Sequence, residues 1–265
     1  MPSKFSILSY FILFFWSINS GFSQSYEEHL NIGLEYQRNK DYENSIKSFS
    51  KAIELNPELS AEAYANRSES YFLSNQTDKA LKDIDKAINF EPQETRYYNI
   101  KAFRLNEIGE YEASKLESKI SLSLDSINFF THYNLGISEG HLKNYQKSIY
   151  YLSKSIELNP DFSDSYYNRG TLKKDYGYYE EALPDLDLAI QLSSGFYDAY
   201  NNRGLVKSQL NDFEGGISDF TIAIEIDPKN TSAYLNRGVV KTKIKDYDGA
   251  IADYNLVLSI DSNNY

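Results

Sequence analysis

A period of 34 residues runs through this chain and leaves few folds open to it. Pro57, Pro92, Pro160 and Pro228 mark its phase. The steps from 92 to 160 and from 160 to 228 are two periods each, and the 35-residue step from Pro57 to Pro92 places one inserted residue near Glu58 to Ser60. Seven units follow, at 26–59, 61–94, 95–128, 129–162, 163–196, 197–230 and 231–264. Repetition on this length scale marks stacked architectures, in which one unit buries too little alone and stability comes from contacts with its neighbours. Within each unit apolar residues recur at three- and four-residue steps in two blocks split by a short polar turn. That is the pattern of two amphipathic helices, A and B.

Aligned by unit, the columns state what each position does. The eighth column is Gly33, Ser68, Ala102, Gly136, Gly170, Gly204 and Gly238, and the twentieth is Ser45, Ala80, Ser114, Ser148, Ala182, Gly216 and Ala250. Small side chains on both helices of a hairpin let the backbones approach, so that bulkier neighbours interlock as ridges and grooves. The twenty-seventh column, Ala52, Ala87, Ser121, Ser155, Ala189, Ala223 and Val257, serves stacking onto the next unit. Tyr64, Tyr98, Tyr166, Tyr200 and Tyr234, with His29 and His132, form an aromatic core column early in helix A. Tyr42, Tyr111, Tyr145, Tyr179, Phe213 and Tyr247 open helix B, and Ile53, Ile88, Leu122, Ile156, Ile190, Ile224 and Leu258 close it. The prolines sit past the end of helix B, where a missing N–H costs nothing.

Phrases such as Tyr166-Tyr167-Asn168-Arg169-Gly170 and Tyr200-Asn201-Asn202-Arg203-Gly204, in register with these columns, resemble the tetratricopeptide repeat. The resemblance covers residues 26–264 and implies an all-α fold, a right-handed superhelical solenoid of seven helix-turn-helix units, with residues 24–265 as the array. Unit three departs most, with Ser114, Ser118, Ser121 and Ser126 where the family prefers Ala, a large apolar residue, Ala and Pro. Pro184 falls inside a predicted helix B, where it costs up to ~3 kcal/mol, so a local kink is expected.

Ahead of the repeats, Lys4 precedes an apolar run from Phe5 to Ile18, followed by Gly21-Phe22-Ser23 with small residues at the two positions a signal peptidase reads. The run is shorter than the ~20 residues of a spanning helix. Residues 1–23 therefore read as a signal peptide cleaved after Ser23, with an exported, periplasmic or secreted product and no membrane insertion after cleavage. Loss of Lys4 takes the formal charge from -11 to -12. Such a charge repels phosphate backbones and anionic headgroups, which argues against nucleic acid and favours neutral or basic partners.

The residues offer little for catalysis. There is no cysteine, and His29, His132 and His141 share no face at ligand spacing, so no metal site is expected. No H-E-x-x-H pair or G-x-x-x-x-G-K-[ST] loop occurs, and no cofactor is implied. The chain reads as a non-enzyme.

In the family that the chain resembles, helix A lines the concave side. Asn31, Asn66, Asn134, Asn168, Asn202 and Asn236 fill its sixth column in six units, broken by Ile100. A side-chain amide pairs with both the C=O and the N–H of an extended peptide without reading its side chains, and the regular spacing resembles the asparagine ladders with which arrays of this family grip a peptide backbone. The same amides could instead pair within the array. Phe72, Phe103, Phe130, Tyr133, Ile137 and Tyr167 are expected along the same groove as aromatic and apolar binding surface. The family's clamp for C-terminal carboxylates is not evident, since Leu30, Leu34 and Ile100 stand at three of its five positions and only Asn66 and Arg96 fit. The chain thus reads as a scaffold binding another protein or peptide in its groove. The alternative is a structural or self-assembling envelope component, associating through a C-terminal face of Ile251, Tyr254, Val257, Leu258 and Ile260.

Overall fold

A computed structural model describes residues 25–262, so the expected signal peptide lies outside the described residues. Among these residues there are fourteen α-helices and no strand. They are α1 (25–38), α2 (Tyr42–Leu55), α3 (Ala61–Leu73), α4 (Thr77–Phe90), α5 (Thr95–Glu107), α6 (Tyr111–Leu124) and α7 (Phe129–His141). There follow α8 (Tyr145–Leu158), α9 (Ser163–Asp175), α10 (Tyr179–Leu192), α11 (Tyr197–Gln209), α12 (Phe213–Ile226), α13 (Thr231–Lys243) and α14 (Tyr247–Ser262). Odd-numbered helices are A and even-numbered helices B. The chain forms two compact units, one ending at Ser126 and one beginning at Ile127. In each, an A helix packs on its own B helix, and that B helix packs on the next A helix.

Each hairpin closes through complementary volumes. A methyl group on Gly204 would stand 2.8 Å from the ring of Phe220, one on Gly136 2.6 Å from Leu152, and one on Gly170 3.0 Å from Leu186. Where the eighth column carries Ala102, its partner in register shrinks to Ser118, while Ser68 is paired in register with Ile84. All of the twentieth and twenty-seventh columns are buried. The hydroxyls of Ser114 and Ser148 donate across the hairpin to the carbonyls of Ala102 (2.8 Å) and Gly136 (2.7 Å), which requires close backbones. Ser114 and Ser121 thus pack as the small residues of neighbouring units do, and Ser118, in a column of large apolar residues elsewhere, is likewise without exposed surface. Helix α10 continues through Pro184, which is exposed, so the N–H it lacks would have faced the solvent side of the helix.

All seven A-to-B turns place the same column in the left-handed region: Lys40, Asn75, Gly109, Lys143, Gly177, Asn211 and Lys245, with φ from 60° to 83°. In each turn the next residue's N–H reaches back five residues, as from Asp41 to Tyr36 (2.9 Å) and Tyr178 to Lys173 (2.9 Å), capping the carbonyls that helix A leaves open.

A charged latch recurs across both helices. Arg67, Arg169, Arg203 and Arg237 each make a two-pronged pair with a buried carboxylate sixteen residues on, Asp83, Asp185, Asp219 and Asp253, at 2.6–3.0 Å. A third guanidinium nitrogen reaches back to the preceding B helix, at Ser50, Ser153, Asp187 and Thr221. Lys101 does the same with Glu117 and Asp85. In the last three units a lysine one turn along, Lys173, Lys207 or Lys241, adds a second cation to the same carboxylate. Burial alone would raise the carboxyl of Asp253, but the bonds from Arg237 and Lys241 outweigh it and hold it below 3.8. That contribution to stability is present above pH 3.8 and is lost as the pH falls through the lowered folded value. Unit four replaces the pair with Leu135 and Tyr151, and Leu135 is fully buried.

Candidate functional site

In the C-terminal unit consecutive A helices touch one another, α7 with α9, α9 with α11 and α11 with α13. The sixth-column asparagines lie on that shared face. The Nδ2 of Asn168 donates to the Asp164 carbonyl (2.8 Å) and to the hydroxyl of Tyr133 on the previous A helix (3.4 Å). Asn202 donates to Thr171 (2.9 Å) and Tyr167 (3.3 Å) and accepts from Lys174 (3.1 Å). Asn236 donates to the Oδ1 of Asn201 (2.9 Å). The amide N–H groups therefore tie helix A to helix A within the array. What Asn168 and Asn236 keep is their carbonyl oxygen, which bonds to nothing among the described residues.

The column is not uniform. Asn134 has no exposed surface and Asn202 very little, so neither presents an amide to a ligand in this structure. Asn202 is hydrogen-bonded at all of its polar groups. In the N-terminal unit Asn31 is exposed, and Asn66 is half-buried beside Gln37, whose Nε2 donates to the Asn66 backbone carbonyl (3.2 Å).

The aromatic residues divide in the same way. The guanidinium of Arg104, ion-paired with Glu69, covers Phe72 at 4.2 Å and stands 5.1 Å from the ring of Phe103. Those two rings are held in a cation–π arrangement rather than left bare. Phe130 stacks on Tyr133 at 5.6 Å, and both meet the edge of Phe162. Tyr167 packs against Phe196 at 4.5 Å. Phe162 and Phe196, each just before the next A helix, belong to this face and escaped the sequence reading, which stopped at the helix columns. A regular signal was present, since both occupy the last column of their units.

Carboxylates border the same face. Burial pushes the carboxyl of Asp164 above its ordinary range, and burial with the nearby Asp227 does so for Asp198. Neither forms an ion pair among the described residues. Burial also raises the hydroxyl of Tyr167. Between α7, α8 and α9 the face sinks into a cavity of about 170 Å³, which Ile137, His141, Asn168, Thr171 and Asp175 help to line. Among the described residues no three His, Asp or Glu stand close enough to hold a metal, and no helix is long and apolar enough to cross a membrane.

Tetratricopeptide repeat models match residues 26–59, 61–94, 131–162, 163–196, 197–230 and 231–264. The STIP1 homolog of Dictyostelium discoideum is 31% identical over 106 residues, covering 40% of this chain and 19% of that protein. The chain therefore matches about one fifth of that relative's length. Among solved structures, the APC/C hetero-tetramer Cut9-Hcn1 gives a TM-score of 0.76 at 15% identity, over 82% of this chain and 43% of that one. YrrB, described as a TPR protein with an unusual peptide-binding site, gives 0.50 at 25% identity, over 70% and 95%. With repeat models matched along most of its length, the chain belongs to the tetratricopeptide repeat family.

Proposed function

We propose that this chain is an exported interaction scaffold, without catalytic activity, that holds an extended stretch of another polypeptide against the A-helix face of its C-terminal unit. One observation carries the reading: the side-chain carbonyls of Asn168 and Asn236 stand two repeats apart on that face with no internal partner. Exposed Leu235 and Val239 on α13 add apolar surface beside them. An extended strand advances about 3.3 Å per residue, so it can offer successive N–H groups to acceptors arranged along a row of helices. A peptide-binding site in YrrB, at comparable repeat geometry, supports the assignment. Export rests on residues 1–23, and the excess of acidic residues favours a neutral or basic segment.

A photo-crosslinking residue placed at Leu235 or Val239 in the cell that makes the protein is expected to capture the partner, while one at exposed Lys147, on helix B, is not. Equal capture from all three positions would remove the face as the binding site.

A second reading is favoured by the outer side of α14, where Ile251 and Leu258 are 56% and 67% exposed. The equivalent Ile190 in unit five is 8% exposed, beneath the next A helix. Val257, assigned to the same face from sequence, is buried. Self-association through this side would appear in sedimentation velocity as an s-value that rises with concentration and that Ile251→Lys with Leu258→Lys abolishes. An s-value independent of concentration rejects it.

A further inference from the structure

The cavity between α7 and α9 has a lining more particular than backbone recognition needs. Its walls are Ile137, Leu152 and Leu172, and its floor opens because two glycines, Gly136 and Gly140, place no side chain in it. Its polar lining is Asn168, Thr171 and Asp175 with His141 and Ser148, and the Ser148 hydroxyl is spent on the Gly136 carbonyl. The amide N–H groups of Asn168 are taken by Asp164 and Tyr133, which leaves the carbonyl oxygen. Asp175 contributes a carboxylate that is 57% exposed at its side chain. Thr171 already accepts from Asn202 and is hydrogen-bonded to Tyr167. A ligand group that meets Asp175 and the Asn168 carbonyl must therefore donate, and its stem lies against the leucine and isoleucine walls.

Only lysine and arginine side chains combine an aliphatic stem with a head that donates and does not accept. Charge agrees. Asp175 lines the cavity and Asp164 and Asp198 lie on the adjoining face, while Lys174 lies 3.1 Å from Asp175 and 3.1 Å from Asn202. A carboxylate accepts at about four lone-pair sites, so its contact with Lys174 leaves room for a second donor.

We propose that this cavity is a specificity pocket that takes one lysine or arginine side chain of the polypeptide bound along the A-helix face. This rests on the peptide-binding reading above and adds to it a chemical preference that a backbone grip lacks. Asp175 and the carbonyl oxygen of Asn168 receive the cationic head, while Ile137, Leu152 and Leu172 flank the stem. Gly140 leaves room in the floor: a methyl group there would stand 3.0 Å from the Ser148 hydroxyl and 3.7 Å from Leu172.

The test uses the full chain and capped amino acids, acetyl-lysine N-methylamide and its norleucine counterpart, which has the same stem and no amine. In ¹H–¹⁵N spectra the lysine probe is expected to shift the Gly136 and Gly140 amides and the Asn168 side-chain amide saturably at millimolar concentration, and the norleucine probe is not. Asp175→Asn, at an exposed position that does not threaten the fold, is expected to weaken the lysine probe about tenfold. Gly140→Ala, which fills part of the floor, is expected to weaken it as well. Equal shifts from both probes, no shift from either, or unchanged affinity in Asp175→Asn would each overturn the pocket. Crosslinking from Leu235 that persists in such a case would show that the binding face stands without it, whereas loss of both would bring down the two proposals together.

Discussion

Asp219→Ala is expected to destabilise the protein by about 3 kcal/mol, the lower end of what removal of one partner from a buried ion pair costs. The side chain of Asp219 is 2% exposed and receives Arg203 at two points and Lys207 at a third. Its loss leaves two cations facing an apolar interior. Arg203 keeps Asp187 on the preceding B helix and is 17% exposed, which is why the cost does not reach the upper end. Because the Asp187 bond joins two repeats, the damage should spread across the repeat boundary and not stay within one hairpin. Thermal unfolding followed by circular dichroism measures it. The protein itself contains an apolar version of this site: unit four holds Leu135 and Tyr151 at the same two columns. The double variant Arg203→Leu with Asp219→Tyr is therefore expected to be more stable than Asp219→Ala alone, because it leaves fewer buried charges unpaired. If Asp219→Ala melts like the parent, the latch is ornamental and the small-residue columns alone hold the stack.

The latch was visible in the sequence and still went unread. Asn168-Arg169-Gly170, Asn202-Arg203-Gly204 and Asn236-Arg237-Gly238 place an arginine in one column, and an aspartate follows each sixteen residues later. A charge on a helix is usually solvated, and nothing in a one-dimensional pattern says that these pairs face inward. By contrast, the hairpins and their stacking were legible, because close helix approach tolerates only small residues and so leaves a strict column. The proposed binding face lies between. Its columns fall on the A helices, yet Asn134 is sealed, Asn202 is fully bonded, and Asn168 and Asn236 keep an open carbonyl. Whether an amide is enclosed depends on residues in the neighbouring helices, such as Phe162 and Phe196, that change from one repeat to the next. A periodic pattern averages over just those differences. The Arg104 cap on Phe72 was hidden for the same reason, since the two residues are 32 positions apart and belong to different columns.

The uneven roles of the asparagines give the second large effect. Asn168→Ala with Asn236→Ala removes the two carbonyls that have no internal partner. At about 0.5–1.5 kcal/mol for each lost bond, affinity for the segment captured at Leu235 is expected to fall roughly fivefold to a hundredfold. The same change also breaks the links to Tyr133 and Asn201, one of them a long contact of 3.4 Å, so some loss of melting temperature accompanies it. Asn202→Ala is expected to behave in the opposite way. Its amide holds Thr171, Tyr167 and Lys174 together and presents little to solvent. Its loss leaves partly buried polar groups without partners, costing about 1–3 kcal/mol of stability, with a smaller change in affinity at temperatures well below the melt. Measuring both properties for both variants separates the two roles. If Asn202→Ala weakens binding more than the double variant while the protein stays fully folded, then the open carbonyls of Asn168 and Asn236 are not what grips the segment.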